Sequence, residues 1–428
     1  MSSAFEVLKE RGFVSQVTNE EAVSRAFKNE TVTCYIGFDP TGQSLHVGNL
    51  VQIMMLAHVQ RGGHRPIALV GGGTAMIPDP SGKDALRPQL SAEDIDQNIL
   101  RIKKQLSSYL DFDGGHEGQA GHEDQAGHEG QAGRASMVNN ADWLRTLNYI
   151  SFLREIGEHF SVNRMLTAEA YRLRMETGLT FLEFNYQILQ AYDFLMLFRE
   201  YGCTMQFGGD DQWGNIVAGV DLIRRKERAA AQAITTPLLT LSDGKKMGKT
   251  AEGAVWLDPE MTSPYDFYQF WINVDDRDVE GLLGHFTFLP MEQVRELGAL
   301  EGEKIRHAKS VLAFEATKIT HGEEAATQAE RGARSVFGGA QAGAEDVPTV
   351  KIGRDRLEAG INVVDLFVEA ELGRSKSEVR RLIQQGGASV NGERVAAIDR
   401  MLGTGDLDDE GVLLLRAGKK RFQRVKTG

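Results

Sequence analysis

The sequence predicts an α/β fold: an open parallel sheet with helices on both faces, then an α-helical domain, then a small α+β unit. Three observations lead there. The first half alternates β-branched runs with helix-periodic runs, the rhythm of a parallel sheet covered on both faces. From about Thr236 the strand-like runs give way to helical segments. Beyond a stretch rich in Gly, Ala and Glu at 322–347, a compact unit closes the chain.

Each element has its own signal. TVTCYIGF (31–38) is a β-branched and aromatic strand. The helix of NLVQIMMLAHVQRGG follows, with Leu50, Ile53, Met54 and Ala57 at helical spacing. RPIALVGG (65–72) is the next buried strand. Ser91 and Asp94 form a capping box for a helix that places Ile95, Ile99, Ile102 and Leu106 on one face. SMVNN (136–140) is a short strand, and a helix starts at Asp142. Thr180 and Glu183 make a second capping box for a helix running to about Tyr201. CTMQFGG (203–209) is a strand and GNIVAGVDLIRRK a helix. The boundaries so drawn are 1–235 for the sheet domain, 236–325 for the helical domain, 326–350 for a linker and 351–428 for the last unit.

A chain of 428 residues is long enough for two or three domains with cores of their own. Its formal net charge of -12 excludes a chain-wide basic nucleic-acid binder, so contact with nucleic acid has to be local. The cysteines, Cys34 and Cys203, stand far apart without metal-ligand spacing, which fits a reducing compartment. The opening MSSAFEVLKERGF is polar and carries acids, unlike a secretory or transit peptide. No run approaches the ~18 apolar residues that a membrane span needs. The expected location is the cytoplasm, with no membrane association. GHEGQA, GHEDQA and GHEGQA stand in tandem from Gly115 to Ala132, without an apolar face. His116, His122 and His128 beside glutamates invite a metal reading, but their period does not match helical ligand geometry. A loop expansion accounts for them, and no metal site is expected.

In open parallel sheets, ligands bind outside the carboxyl ends of the strands. The unusual residues stand there: Asp39 after the first strand, Thr74 and Asp79 after the second, Gly209 to Gln212 after the fourth. In FDPTGQSLHVGN (38–49), Pro40, Gly42 and Gly48 shape a turn. The following helix points its free N–H groups and positive dipole end at that turn, which favours phosphate. Thr41 and His46 supply further donors. In KKMGKT (245–250), Lys246 and Lys249 flank a Met-Gly step and Thr250 follows. Two ammonium groups there can match the charge that grows on a departing pyrophosphate. Taken singly, the first string also reads as an ordinary helix start and the second as a solvated turn. In that order and context they read as two halves of a nucleoside triphosphate site.

Tyr186, Gln190 and Asp193, at i, i+4 and i+7, share one helix face. Phe184, Ile188, Leu189, Phe194, Leu195 and Leu197 leave little of that helix to face water. A buried phenol, amide and carboxylate on one stripe need a ligand or partner; an exposed polar face is the other reading. In GGDDQWGN (208–215), two glycines let backbone approach a ligand and Asp211 is placed for ribose hydroxyls, although Asp in such turns also serves as a cap.

HVGN (46–49), KMGKT (246–250), CYIGFDPT, ALVGGGT, DPSGK, the Tyr186–Gln190–Asp193 stripe, GGDDQWGN and SPYDFYQFWIN occur in the order found in bacterial tyrosyl-tRNA synthetases, and the chain resembles that class I family from about residue 4 to its end, outside the repeat and linker. The resemblance implies a Rossmann-like catalytic domain, with L-tyrosine, ATP as Mg-ATP and tRNA(Tyr) as substrates. It also implies a homodimer, with Phe181 as a contact, and no protein-bound metal. By the same resemblance Tyr35 and Asp193 hold the substrate phenol, and Tyr186, Gln190 and Asp79 its amino group. Gln212 belongs to the same tyrosine site. Gly37, Asp39, Gly48, Asn49, Gly209, Asp211 and Gln212 line the adenylate site. Thr41 and His46 grip the γ-phosphate, and Lys83, Arg87, Lys246, Lys249 and Thr250 the departing pyrophosphate. Asn49 stands where His often ends the first signature, Gly248 replaces the usual Ser of the second, and Asp210 replaces the Ser before the Asp-Gln pair.

The last unit, residues 355–428, resembles an S4-like RNA-binding domain through SKSEVRRLI followed by a turn and VNG, and that resemblance implies its α+β character. Arg374, Lys376, Arg380 and Arg381 would form a basic helix face, and Lys419, Lys420 and Arg421 a second cluster. This region holds 13 Lys and Arg against 12 Asp and Glu, so it is near neutral and the rest of the chain carries the whole of the net negative charge. A local positive patch on an acidic protein suits phosphate steering. Three rivals are a tryptophan-specific relative, another nucleotidyltransferase and a non-catalytic RNA-binding paralogue. Tyr35 with Asp193 disfavours the first, the lysine string and S4-like end the second, and His46, Lys246 and Lys249 the third.

Overall fold

The computed structural model describes residues 2–77, 79–80, 90–112, 133–242, 244, 247, 249–250, 253–337, 349–408, 411–418 and 421–427. The chain divides into two compact units, Met1–Thr262 with Val274–Thr320, and Ser263–Asn273 with His321–Gly428.

The first unit is built on six strands: β1 (Gln16–Val17), β2 (Thr33–Phe38), β3 (Arg65–Val70), β4 (Ser136–Asn139), β5 (Met205–Gly209) and β6 (Gln232–Thr236). Their order is β1-β6-β5-β2-β3-β4. All pairs are parallel except β1 with β6. The expected parallel sheet is present, and β1 adds an antiparallel edge strand to it. Two residues are too short for an alternating pattern to register in sequence. From β2 the chain moves outward to β3 and β4, then returns to place β5 on the other side of β2. This switch point leaves a crevice at the carboxyl ends of β2 and β5.

Among the described residues, ten α-helices accompany these strands. They are α1 (Ala4–Glu10), α2 (Glu20–Asn29), α3 (Val47–Arg61), α4 (Ala92–Leu106), α5 (Ala141–Leu144), α6 (Tyr149–Glu155), α7 (Val162–Met165), α8 (Glu169–Thr177), α9 (Phe181–Tyr201) and α10 (Trp213–Lys226). The capping boxes at Ser91–Asp94 and Thr180–Glu183 both form, so α4 and α9 begin where side-chain chemistry sets them. Gly202, at φ 61°, ends α9 in the left-handed region. In α3, buried residues run all round the helix, from Val47, Leu50 and Ile53 to Leu56 and Val59. The reason is that α3 packs on β2, β3 and β5 and also meets α1 and the helix Val279–Phe286.

Arg11 ties that last helix down. Its guanidinium donates to the carbonyls of Gly284 and Thr287, each at 2.9 Å, and to that of Leu289.

In the second unit, five strands lie in the order Glu393–Arg394, Ala388–Val390, Val412–Ala417, Arg421–Thr427, Thr349–Ile352. The helices Val363–Glu369 and Lys376–Gln384 complete a core around Phe367, Leu366, Val379 and Leu415. The expected helical domain at 236–325 is divided between the two units. The expected linker at 326–350 begins later, because the helix Glu323–Phe337 continues through its first part. Ala326, Ala329 and Ala333 bury one face of it, and it packs on the helix Pro264–Ile272. An apolar stripe made of alanine is easily read as a flexible, small-residue segment.

Candidate active site

A cavity of about 480 Å³ opens at the switch point. β2 and the turn after it contribute Tyr35, Gly37, Asp39, Thr41, His46 and Asn49. Thr74, Asp79 and Asn140 follow β3 and β4; α9 presents Tyr186, Gln190 and Asp193; Gln206, Gly208, Asp211 and Gln212 come from β5 and its turn. Side chains read separately along the sequence thus share one space. Topology does this, because each follows the carboxyl end of a parallel strand or projects from the helix that covers them.

The deep end is closed by Tyr35 and Asp193, 1% and 3% exposed. The Tyr35 hydroxyl is buried without a hydrogen-bond partner among the described residues. Its ring packs at 5.3 Å from Phe194. Asp193 accepts from Asn140 Nδ2 at 2.9 Å and from Trp143 Nε1 at 2.8 Å. Burial pushes the Asp193 carboxyl up to about 7, against the lowering effect of the Asn140 and Trp143 hydrogen bonds. Burial, then the nearby Asp193 charge, pushes the Tyr35 phenol well up, so it stays a neutral donor. Asn140 is saturated: it also donates to Thr74 Oγ1 at 3.0 Å, and its Oδ1 accepts from Gly73 N at 2.7 Å.

The sequence reading did not single out Asn140 or Trp143. Asn140 does carry a signal, being a polar residue at the carboxyl end of a parallel strand. Trp143 carries none. Gln206 carries no local sequence signal either. It pairs in register with Tyr35, is 2% exposed, and its Oε1 is buried without a partner among the described residues.

Along one wall, Gln212 Nε2 donates to Asp79 Oδ2 at 2.8 Å, opposite the Tyr186 and Gln190 face of α9. Toward the mouth, Asn49 Oδ1 accepts from the His46 backbone N–H at 3.1 Å, which leaves the amide N–H groups as donors. Gly48 permits a close approach: a Cβ there would lie 2.7 Å from His46 Cε1 and 3.2 Å from the Met247 carbonyl. Gly209 stands outside the cavity lining, where Gly208 is found instead. Asp210 points elsewhere. Burial raises its carboxyl, but hydrogen bonds from Thr235 Oγ1 at 2.5 Å, Ser15 Oγ at 2.7 Å and Gln16 Nε2 at 3.1 Å bring the net below the usual range. It fastens β1 and β6 to the turn after β5.

The first signature string is joined by backbone to the segment that follows the second. Val47 N donates to Val255 O and Leu257 N to Leu45 O, both at 2.9 Å. His46 bridges Trp256 in an antiparallel arrangement. Asp258 N donates to Ser44 Oγ at 3.2 Å. From α4, Gln105 Oε1 accepts from Leu45 N at 2.9 Å and Ser44 Oγ at 3.3 Å, while Asn98 Nδ2 donates to Pro40 O at 3.1 Å. Lys249 and Thr250 form a short strand paired with Gly253–Ala254. Their side chains, together with Lys83, Arg87 and Lys246, lie outside the described residues, as does the 115–132 repeat. Among the described residues no group of His, Cys, Asp and Glu is placed to hold a metal ion.

In the second unit Arg374, Lys376, Arg380 and Arg381 are exposed, Arg374 just before the helix Lys376–Gln384, Lys376 at its start and Arg381 in its last turn. Lys376 is paired with Asp365 at 2.8 Å, which reduces its contribution to a positive patch. Arg421 is half-buried and Arg424 is buried; Lys419 and Lys420 lie outside the described residues. Phe181 is 69% exposed at the start of α9.

Residues 27–338 match the model of tRNA synthetases class I (W and Y), and residues 340–425 that of the tyrosine–tRNA ligase SYY-like C-terminal domain. The tyrosine–tRNA ligase of Clostridium tetani is 53% identical over 99% of both chains. That of Clostridium beijerinckii is 51% identical over 100% of both. A crystal structure of a C-terminally truncated Aspergillus nidulans mitochondrial tyrosyl-tRNA synthetase superimposes with a TM-score of 0.67 at 30% identity, covering 79% of this chain and 95% of that one. With both of its parts matched and its identity sustained from end to end, this chain belongs to the tyrosyl-tRNA synthetase family of class I tRNA synthetases.

Proposed function

We propose that the cavity at the carboxyl ends of β2 and β5 binds tyrosine with its phenol at Tyr35 and Asp193 and ATP toward Asp39 and His46. Ligation of tyrosine to tRNA is the activity of the full-length relatives, and this chain carries it with them. The observation that carries the site assignment is the pair at the deep end. A buried donor without a partner among the described residues stands beside a buried acceptor, at the end of a cavity whose mouth faces a helix N-terminus. Tyr35 donates to the substrate hydroxyl, and Asp193 accepts its proton. Phenylalanine would leave the Tyr35 hydroxyl buried without an acceptor and give Asp193 no donor beyond Asn140 and Trp143, a discrimination for which this family is itself the standing example.

In the first step an oxygen of the tyrosine carboxylate attacks the α-phosphorus of ATP. The O–P bond to tyrosine forms as the bond to the bridging oxygen of pyrophosphate breaks, giving tyrosyl-adenylate. The nucleophile is already an anion, so no general base is needed. Positioning and charge stabilisation on phosphate oxygens do the catalysis. Thr41 and His46 donate to the γ-phosphate, and Lys83, Arg87, Lys246, Lys249 and Thr250 receive the leaving pyrophosphate. ATP enters as its magnesium complex. Asp79, Tyr186, Gln190 and Gln212 hold the substrate ammonium end, and Gly37, Asn49, Gly208 and Asp211 border the adenylate. In the second step a hydroxyl of the tRNA terminal ribose attacks the tyrosyl carbonyl, and AMP leaves with its phosphate.

The S4-like unit contacts tRNA(Tyr) through Arg374, Arg380 and Arg381. The protein works as a homodimer. Support comes from Phe181 and Leu182, adjacent apolar side chains exposed at the start of α9, which water alone does not favour. No helix among the described residues is long and apolar enough to cross a membrane, and the cytoplasm is the proposed location.

Amino-acid-dependent ATP–pyrophosphate exchange tests the assignment. Exchange with tyrosine and little with phenylalanine or tryptophan is expected. Exchange driven by tryptophan would overturn the proposed phenol contacts. Sedimentation of Phe181→Asp tests the dimer, and an unchanged dimer would remove Phe181 from the interface.

A further inference from the structure

Asn215 stands in the first turn of α10, outside the cavity lining and 5% exposed. Its Nδ2 donates to Gln212 Oε1 at 3.2 Å. Gln212 passes the contact on, donating Nε2 to Asp79 Oδ2 at 2.8 Å. A primary amide has one accepting end and one donating end. Once Asn215 holds Oε1, the NH₂ end of Gln212 has to face the Asp79 carboxylate. Turned the other way, a carbonyl would face a carboxylate and the two acceptors would repel. The turn that carries Asn215 is itself fixed, because Gln187 Nε2 on α9 donates to Gly214 O at 2.9 Å. Asn215 is therefore anchored to the helix that also presents Tyr186 and Gln190.

We propose that Asn215 is a positioning residue for tyrosine binding, setting the orientation of the Gln212 amide and through it the Asp79 carboxylate that receives the substrate ammonium. This rests on the assignment of Asp79 and Gln212 to the ammonium end. A buried amide is tolerated where its hydrogen bonds are made, and here one of them orders a side chain that lines the cavity.

The test uses tyrosine-dependent exchange with the full chain carrying Asn215→Ala, Asn215→Asp or Asp79→Ala. Asn215→Asp conserves shape but replaces a donor with an acceptor, so it forces the Gln212 amide around. It should raise the KM for tyrosine by roughly tenfold. Asn215→Ala only releases the amide and should raise it about threefold. The KM for ATP should stay constant in both. In a Gln212→Ala background no amide is left to turn, so Asn215→Asp should add no further rise. A structural role would give the opposite ranking, with the cavity-forming Ala variant worse than the isosteric Asp. That ranking, a parallel rise in the KM for ATP, a persisting Asn215→Asp effect without Gln212, or an unchanged KM for tyrosine in both variants overturns the proposal. If Asp79→Ala also leaves the KM for tyrosine unchanged, the ammonium site itself is misassigned; if it raises the KM while the Asn215 variants do not, only the role of Asn215 falls.

Discussion

Trp143 donates its indole N–H to Asp193 at 2.8 Å, from a helix of four residues, and this contact with that of Asn140 holds the carboxylate that faces Tyr35 across the cavity floor. Two donors on one buried carboxylate fix its direction and limit how far burial raises its affinity for a proton.

The pH dependence follows from that balance. The Asp193 carboxyl is raised from 3.8 to about 7 by burial, so the ligand-free fold keeps a proton that the unfolded chain has lost in this interval. Its contribution to stability is present below 3.8 and declines as pH rises toward about 7. Thermal melts of the ligand-free protein should fall across this window relative to Asp193→Asn. Trp143→Phe removes one lowering hydrogen bond, and the acid limb of kcat/KM for tyrosine should move to higher pH.

Tyr35→Phe removes a buried hydroxyl that has no hydrogen-bond partner among the described residues. Stability of the ligand-free protein should rise by about 1 kcal/mol. The preference for tyrosine over phenylalanine in exchange should fall at least tenfold, roughly what losing one hydrogen bond to the phenol implies. A lower melting temperature with intact discrimination would contradict both statements.

Gly48→Ala puts a methyl group 2.7 Å from the His46 ring and 3.2 Å from the Met247 carbonyl. The ring has to move, and the two signature strings have to separate. Exchange should lose kcat or gain in KM for ATP by roughly a hundredfold, about 2–3 kcal/mol. Tyrosine binding measured without ATP should be preserved.

Gln105 reaches the first signature through Oε1 alone. Its Nε2 is buried without a partner among the described residues. Gln105→Glu keeps the acceptor and should retain most activity. Gln105→Met leaves Leu45 N and Ser44 Oγ to other partners and should lower kcat for exchange about tenfold, through displacement of His46. Equal activity of the two variants would disconnect α4 from the signature.

The tandem repeat is bracketed by residues that already touch. Phe112 bridges Ala135, and Ala135 N donates to Asp111 O at 2.8 Å. Replacing 113–132 with about six Gly and Ser residues spans that gap. Exchange with tyrosine and the melting temperature should be unchanged within error.

The sequence by itself determined the local elements. Side-chain period, capping boxes at Ser91 and Thr180, and the breaks at glycine act over a few residues, so β2, β3, α4 and α9 stand where their residues placed them. It also placed Tyr186, Gln190 and Asp193 on one helix face, because helical geometry needs no partner to do so. Tertiary structure alone decided the rest. Asn140 and Trp143 meet Asp193, Gln206 falls beside Tyr35, Asp210 turns to Thr235, and β1 joins β6 antiparallel. Each of these joins residues far apart in the chain, and no local backbone preference encodes which distant side chain will supply the missing donor or acceptor. That choice belongs to the packing of strands and helices, where a buried polar group is stable only beside the partner the fold brings to it.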